Sequence, residues 1–462
     1  MRVIIAGAGP AGFVVARTLV ERGHEVVLLE KRAVPGGKVS AWQDADGDWI
    51  ESGLHVFFGA YHNLLDFLNR YGLGDTFNWK PAEMIFASER HGLAGISFVP
   101  WLPVPLNGLA GVAKFTPLTL GDKLRMGLGL LRPIFGDQAY VDQQDDESYA
   151  SWHLRHGMGQ RSLDEVMHTM SLALNFLRAD QVSAKLPLTA MLHFAHEKQA
   201  PKMALVKGSP DTNIWRPLIR QIEGLGGRVE LGHKLVGIEY DEAANRVTGF
   251  QLEDGSTVTG DVYVSAMPVH NLRKVLPASW RKFAYFDNLK HLKGAPVITM
   301  QLFFDRQIAG VDNLLFSAGT HLSVYADMAM VAPEYHTGGR SIMQFVVAPA
   351  ETLITLPDDE LVRFVMDEFV RLHPVAREAR LLKHTIVRIP NSVYQARPGV
   401  DKYRPDQASP VSNFFLAGDY TRQHFLASIE GATISARRCV ERITEALASG
   451  TIAPAREVVA AG

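Results

Sequence analysis

The chain has 462 residues, 47% of them hydrophobic, and its 47 basic and 49 acidic side chains leave a net charge of −2. That length exceeds what one core usually supports, so two or three interwoven domains are expected, and the near-neutral balance gives no support for nucleic-acid binding, which needs a basic stripe. The one cysteine, Cys439, excludes an internal disulfide framework and a cysteine-rich metal site, fits a reducing compartment, and reads as packing in a C-terminal helix.

Residues 2–6 form a short run rich in β-branched side chains, which predicts a buried parallel strand. Gly7, Gly9 and Gly12 follow with GxGxxG spacing, with Pro10 and Ala11 between the last two. Residues 14–22 predict an amphipathic helix, 25–29 a second strand, and Glu30 closes that strand about 20 residues after the glycines. Gly7 lets the chain turn off the strand, Gly9 has no side chain to block a diphosphate, and Gly12 lets the helix lie close to the sheet. The helix N-terminus offers N–H groups and partial positive charge to the diphosphate, and Glu30 is placed to accept from both ribose hydroxyls. A lone GxGxxG is weak; strand, glycines, helix, strand and acid in register are much stronger.

The chain then reads Lys31, Arg32, Gly36, Gly37, Lys38. This E-K-R-x-x-x-G-G-K continuation resembles the pattern of amine oxidases and carotenoid desaturases, and the resemblance implies FAD rather than NAD, with the loop after Glu30 lying along the cofactor. Residues 53–61, G-L-H-V-F-F-G-A-Y, predict a turn leading into a helix from residue 63. They resemble the plant- and cyanobacterial-type phytoene desaturases and their ζ-carotene desaturase relatives. In that family the stretch lies near the flavin, which implies cofactor contacts for Gly53, Leu54 and His55. His55 has two readings, a hydrogen-bonded turn residue or a catalytic proton-transfer group.

Residues 96–135 are apolar but broken by Pro100, Pro103, Pro105, Pro117 and Pro133, so no single helix spans them. Lys114, Lys123, Arg125 and Arg132 are spaced among Leu, Phe, Met and Trp101. Short apolar helices with interleaved basic residues predict a monotopic surface lying in one leaflet; the alternative is a cap packed on the core. The P-V-P-L-N-G and G-L-L-R-P-I-F-G ends of this segment, and L-A-L-N-F at 172–176 after a polar helical stretch from 145, resemble the same family. At His193 the family usually carries arginine, at the flavin end of the substrate tunnel. Histidine is smaller and titrates near neutrality, so His193 reads either as a catalytic or acceptor-site residue or as packing.

Residues 207–227 predict a loop and helix, and 228–239 a strand with a turn, after which the resemblance places Val236 against the adenine. A hairpin follows at 245–260 with its turn at Asp254 and Gly255, then a buried strand at 261–268. Strands are predicted at 296–304, 341–347 and 381–388, and an amphipathic helix at 358–373. The loop 393–406, rich in Tyr and Arg, fits a tunnel mouth and supplies a third catalytic candidate, Tyr394. Residues 413–435 carry a second cofactor signature: a strand, a turn at Gly418 and Asp419, then Ser428, Ile429, Glu430, Gly431 and Ala432 opening a helix. Asp419 is placed for the ribityl or diphosphate region, and the helix start for the flavin pyrimidine edge.

No Ser-His-Asp arrangement, HExxH motif or metal spacing is found, and no metal is expected. The resemblance covers residues 2–442 and implies an α/β fold, a Rossmann-type FAD-binding domain interwoven with an α+β substrate domain and a helical, apolar membrane-facing insert, in an amine-oxidase/glutathione-reductase-like architecture. The expected boundaries are 1–80, 205–270 and 405–446 for the FAD domain, 81–204 for the helical cap and docking region, 271–404 for the substrate-domain sheet, and 447–462 for a flexible tail. The implied activity is FAD-dependent desaturation of a phytoene-like polyprenoid, with hydride passing to flavin N5 and electrons to a quinone. The alternatives are a hydroxysqualene dehydroxylase, in which hydride runs the other way, another isoprenoid flavin oxidoreductase, or a flavin amine oxidase. With no run of 18 apolar residues and a strand at the very N-terminus, neither a transmembrane helix nor a signal peptide is expected, and a peripheral position on the cytoplasmic side of a membrane is. Oligomeric state is open.

Overall fold

The structure is a computed structural model that describes residues 1–425 and 427–452. The chain divides into two compact units, one of Met1–Ala41, Pro210–Lys293 and Tyr403–Gly462, the other of Trp42–Ser209 and Gly294–Lys402.

The first unit is built on a five-stranded parallel sheet whose strands run Arg228–Leu231, Glu25–Glu30, Arg2–Ala6, Val262–Ser265, Phe414–Leu416 across the sheet. Val3, Ile4, Ile5, Val27 and Leu28 are fully buried, as expected of a parallel sheet covered on both faces. The helix Pro10–Glu21 crosses between the first two strands. It starts four residues before the helix expected at 14–22, because Pro10 occupies its first position, where a preset φ suits the helix and the missing N–H costs nothing. Phe13 on this helix stacks on Trp215 at 5.1 Å, and the Trp215 indole N–H donates to the Val39 carbonyl at 2.7 Å. The long helix Ile429–Ala448 packs beside it and buries Cys439 completely. The predicted hairpin is present as Arg246–Leu252 and Thr257–Val258, with Leu235–Asp241 as its antiparallel neighbour.

The second unit holds a seven-stranded sheet in the order Leu381–Ile389, Val297–Phe304, Ile342–Val347, Leu322–Asp327, Leu315–Ser317, Glu83–Ser88, Gly92–Ser97. All its pairings are antiparallel except Leu315–Ser317 with Glu83–Ser88. The helix Asp358–Leu372 covers one face, burying Val365 and Phe369 among Met300, Leu302 and Phe345.

The division falls at different residues from those expected. Residues 42–80 and 205–209 belong to the second unit, where Phe57–Phe58 and Phe77–Trp79 flank Met203–Val206 in a small antiparallel sheet. Residues 271–293 and 403–404 belong to the first. Residues 83–97, expected in the helical region, form the last two strands at one end of the large sheet, Gly92–Ser97 at its edge. Residues 447–448 close the last helix; residues 453–462 of the expected tail lie outside the described residues.

Between the edge strand Gly92–Ser97 and the strand Met203–Val206 lie short helices, among them Leu106–Lys114, Leu120–Gly129, Leu131–Phe135 and Lys185–His196. Thr119 and Asp122 form a reciprocal capping box that starts the second of these. Its Leu120, Leu124 and Leu128 recur every four residues and face outward. With Trp101 (79% exposed), Leu120 (74%), Leu128 (69%) and Phe135 (73%) the segment presents large apolar side chains to the outside. A soluble helix buries such a stripe; here the buried positions are Met126 and Gly129 instead.

Candidate functional site

The glycine-rich turn of the first unit has the shape of a cradle. Gly7 has φ +111°, and a Cβ there would stand 2.9 Å from the Ala266 carbonyl carbon. A Cβ on Gly12 would overlap the Gly7 carbonyl oxygen at 1.9 Å, so only glycine lets the helix approach the strand. Gly9 precedes the helix with no side-chain cap, and the Phe13 amide closes the first turn onto the Gly9 carbonyl at 3.0 Å. Pro10 has no N–H, so Ala11 and Gly12 carry the amides that head the helix. The loop after Glu30 folds back over this turn: the Gly36 amide donates to the Ala8 carbonyl at 2.7 Å. Glu30 is buried, and its carboxylate accepts from the Ala8 amide at 3.0 Å and the Arg32 amide at 3.1 Å. A carboxylate has about four acceptor sites, so capacity for two hydroxyls remains. Strand Arg228–Leu231 runs beside Glu30, and the His233 amide donates to the Glu30 carbonyl at 2.8 Å. Val236 follows on the next strand and is partly exposed.

The second signature lies in the same unit. Gly418 has φ +154°, and its amide donates to the Ser435 hydroxyl at 2.9 Å. The Ser428 hydroxyl caps the long helix by accepting from the Gly431 amide at 3.1 Å. The Ala432 amide already donates to the Ser428 carbonyl at 2.9 Å, so Ile429 and Glu430 supply the amides that head this helix. Arg404, buried, holds the intervening loop through the carbonyls of Asp419, Tyr420, Thr421 and Gln423. Asp419 pairs with Lys38 at 3.2 Å. The His270 imidazole is held neutral, its pKa pushed down to about 4 by burial and then by the charges of Lys38, Lys274 and Lys31. Three cations therefore act on His270, opposed by the Asp419 carboxylate; cations and helix N-termini are the groups that suit a diphosphate. Lys31 and Lys38 were expected there; His270, Lys274 and Arg404 carry no motif and were not.

The catalytic candidates all belong to the second unit. The His55 Nδ1 lies 2.9 Å from Glu51 Oε2, and the Tyr335 hydroxyl donates to Glu51 Oε1 at 2.9 Å. Glu51 is buried, and burial and this carboxylate push the Tyr335 phenol far above its ordinary range. Gly53 packs against the His55 ring, and Leu54 is buried. His193 sits on the last turn of helix Lys185–His196 with Nδ1 2.7 Å from Glu197 Oε1. Tyr394 is buried; its backbone bridges to Gly294, and Asn175 donates to its carbonyl at 3.4 Å. Each candidate thus has its own partners. Glu51 and Glu197 were missed, although each stands four residues from a candidate histidine, a spacing that deserved notice. The Asp44, Asp46 and Asp48 carboxylates converge, and Lys383 occupies their centre.

A Rossmann-type unit whose glycine turn and helix starts suit a diphosphate, together with a second unit built on a mixed sheet, fits the class of flavin-dependent oxidoreductases. The family model for flavin containing amine oxidoreductases matches residues 10–444, and the chain belongs to that family. Within it the chain is an FAD-dependent oxidoreductase of the carotene-desaturase type: it is 41% identical over 454 residues to the 15-cis-phytoene desaturase of Solanum lycopersicum, covering 96% of this chain and 78% of that one. To the 15-cis-phytoene desaturase of Synechococcus elongatus it is 40% identical over 453 residues, covering 96% of each. Among solved structures, an oxidoreductase from Methanosarcina mazei matches with a TM-score of 0.75 at 16% identity, over 96% of this chain and all of that one (100%). Putrescine oxidase matches with a TM-score of 0.68 at 16% identity, over 96% and 99%. At that identity these two share the fold alone, and the relatives favour neither the amine oxidase nor the hydroxysqualene dehydroxylase alternative.

Proposed function

We propose that the chain desaturates a phytoene-like polyprenoid hydrocarbon while docked on a membrane surface, and that the electrons pass on to a quinone. The observation that carries the reading is identity of about two residues in five to phytoene desaturases along nearly the whole chain. Bound FAD supplies a two-electron acceptor for hydride from an allylic carbon. The protein's part is to hold the cofactor, orient a long apolar substrate and exclude water.

Gly7, Gly9, Pro10, Ala11 and Gly12 would cradle the diphosphate, with Lys31, Gly37 and Lys38 along it and Glu30 on the adenosine ribose. Val236 would lie by the adenine. Gly418 and Asp419 would meet the ribityl chain, and Ser428, Ile429 and Ala432 would bring the last helix to the flavin ring. Gly53, Leu54 and His55 are further candidates for cofactor contact. The outward stripe of Leu120, Leu124 and Leu128, with Trp101, Leu131 and Phe135 beside it, supports docking into one leaflet. Lys123 and Arg125 at the same helix fit anionic headgroups. Among the described residues no helix is long and apolar enough to cross a membrane, so the contact would be monotopic, on the cytoplasmic side.

The test is product analysis. The FAD-loaded chain, given phytoene and a quinone in lipid vesicles, is expected to make a carotene with a longer conjugated system. Unchanged phytoene under every lipid and acceptor condition would overturn the reading.

A further inference from the structure

In the second unit two short helices, Leu131–Phe135 and Gln138–Asp142, both pack on the helix Lys185–His196. Pro133 and Val141 are their buried positions. Between them lies an open cavity of about 480 Å³, lined by Arg132, Phe135, Gly136, Asp137 and Tyr140. Small-molecule sites hold about 300–1,000 Å³. The Arg132 guanidinium lies over the Tyr140 ring, its central carbon 4.9 Å from the ring centre. Stacking of this kind fixes the planar fork and leaves its edge donors available. Gly136 keeps the turn tight, since a Cβ there would stand 2.7 Å from the Arg132 carbonyl oxygen and 3.6 Å from Tyr140 Cδ1. Asp137 Oδ1 accepts from the Tyr140 amide at 2.9 Å. Among the described residues the Arg132 side chain makes no hydrogen bond or ion pair, and Asp137 Oδ2 accepts none. One exposed cation and one exposed anion thus line the same cavity without pairing with each other.

We infer that this cavity binds the headgroup of a phosphatidylethanolamine, with the phosphate on Arg132 and the primary ammonium on Asp137. The inference rests on the docking reading above and deepens it, by naming the lipid that the docked face selects. A lone phosphate would meet the Asp137 carboxylate, and a simple amine would meet the Arg132 guanidinium. A zwitterion brings the opposite sign to each. The guanidinium fork matches two phosphate oxygens at once, and a primary ammonium has N–H donors for the open carboxylate oxygen. A choline head has no such donor, and the Tyr140 face that could hold a quaternary ammonium is covered by Arg132. Phe135 and Leu131, 73% and 47% exposed, stand beside the cavity and continue the outward apolar surface. They give acyl chains an apolar path, which makes a lipid the source of the headgroup rather than a soluble ester. Lys123 and Arg125 attract any anionic surface; Arg132 and Asp137 choose among headgroups.

The test is cosedimentation of the FAD-loaded full chain with two sets of vesicles of equal net charge, one of phosphatidylcholine and one in which half of it is replaced by phosphatidylethanolamine. The second set is expected to bind about tenfold more tightly, the low end of what hydrogen bonds to charged groups contribute. Arg132→Gln and Asp137→Asn are each expected to abolish that preference while binding to phosphatidylcholine and FAD content stay as in the wild type. Ethanolamine lipids also alter bilayer packing, but that effect is the same for every variant. Equal binding of the wild type to both sets, or a preference that survives in both variants, would overturn the inference and leave the docking reading standing. A second measurement needs no membrane: saturation-transfer NMR with soluble glycerophosphoethanolamine. The wild type is expected to transfer magnetisation to the ligand and Asp137→Asn is not; no transfer from the wild type would overturn the site. Transfer from a chain that binds no vesicle of any composition would sink the docking reading alone.

Discussion

Gly37 is folded against Gly9: a Cβ on Gly37 would stand 2.9 Å from the Gly9 Cα, at a φ of +60°. The loop after the second strand and the glycine turn after the first therefore close on each other with no room for a side chain. Gly37→Val meets both the backbone clash and the left-handed penalty of about 1–2 kcal/mol. It is expected to lower bound FAD at least tenfold while far-ultraviolet circular dichroism stays near wild type. Flavin absorbance of the purified protein checks it.

Glu30 combines two backbone bonds with an assigned place at the ribose. Hydrogen bonds to a charged group contribute about 1.5–3 kcal/mol, so Glu30→Gln is expected to weaken FAD binding by about 10- to 100-fold. Titration of the apoprotein with FAD, followed by flavin fluorescence, measures it. Unchanged affinity would remove Glu30 from the cofactor site.

The leucine stripe is testable apart from catalysis. Burying a leucine contributes about 1.5–3 kcal/mol, so each of Leu120→Glu, Leu124→Glu and Leu128→Glu is expected to reduce vesicle binding by tenfold or more. These side chains face outward, so FAD content and thermal stability should hold. Cosedimentation with anionic vesicles gives the result, and full binding by a triple variant would rule out this face as the docking surface.

Three histidines, His153 and His373 buried and His270 half-buried, set an acid limit on stability. Burial is the main cause that pushes His153, His270 and His373 down to about 4. Their folded pKa values lie below the ordinary 6.5, so the unfolded chain binds more protons and stability falls as pH drops from 6.5 towards 4. The melting temperature is expected to be level above pH 7 and to fall steeply below pH 6. His153→Gln, which keeps a polar group near Gly159 and Ser162, should soften that slope.

How much of this was legible follows the range of the interaction. The strand–glycine–helix–strand unit is local, and the run from Arg2 to Glu30 announces it, as do the strands at 297–304 and 342–347. The start of the first helix at Pro10 was missed because a proline and glycines hide the apolar period there. Residues 83–97 were read with the helical segment because their partner, Leu315–Ser317, lies more than two hundred positions away and no local pattern specifies it. The site shows the same split. The glycines and Glu30 carry a motif, whereas the cations around His270 and the Glu51 and Glu197 partners of the candidate histidines meet them only in the fold. The apolar segment 96–135 was conspicuous in the sequence, but which of its leucines face outward depends on the short helices that form between its prolines.

The most direct test of the account is anaerobic reduction of the bound flavin by phytoene in lipid, with putrescine as the control amine. The account predicts that phytoene bleaches the flavin and that putrescine does not. Bleaching by the amine, or an oxidised flavin after exposure to phytoene, ζ-carotene and squalene alike, would contradict it.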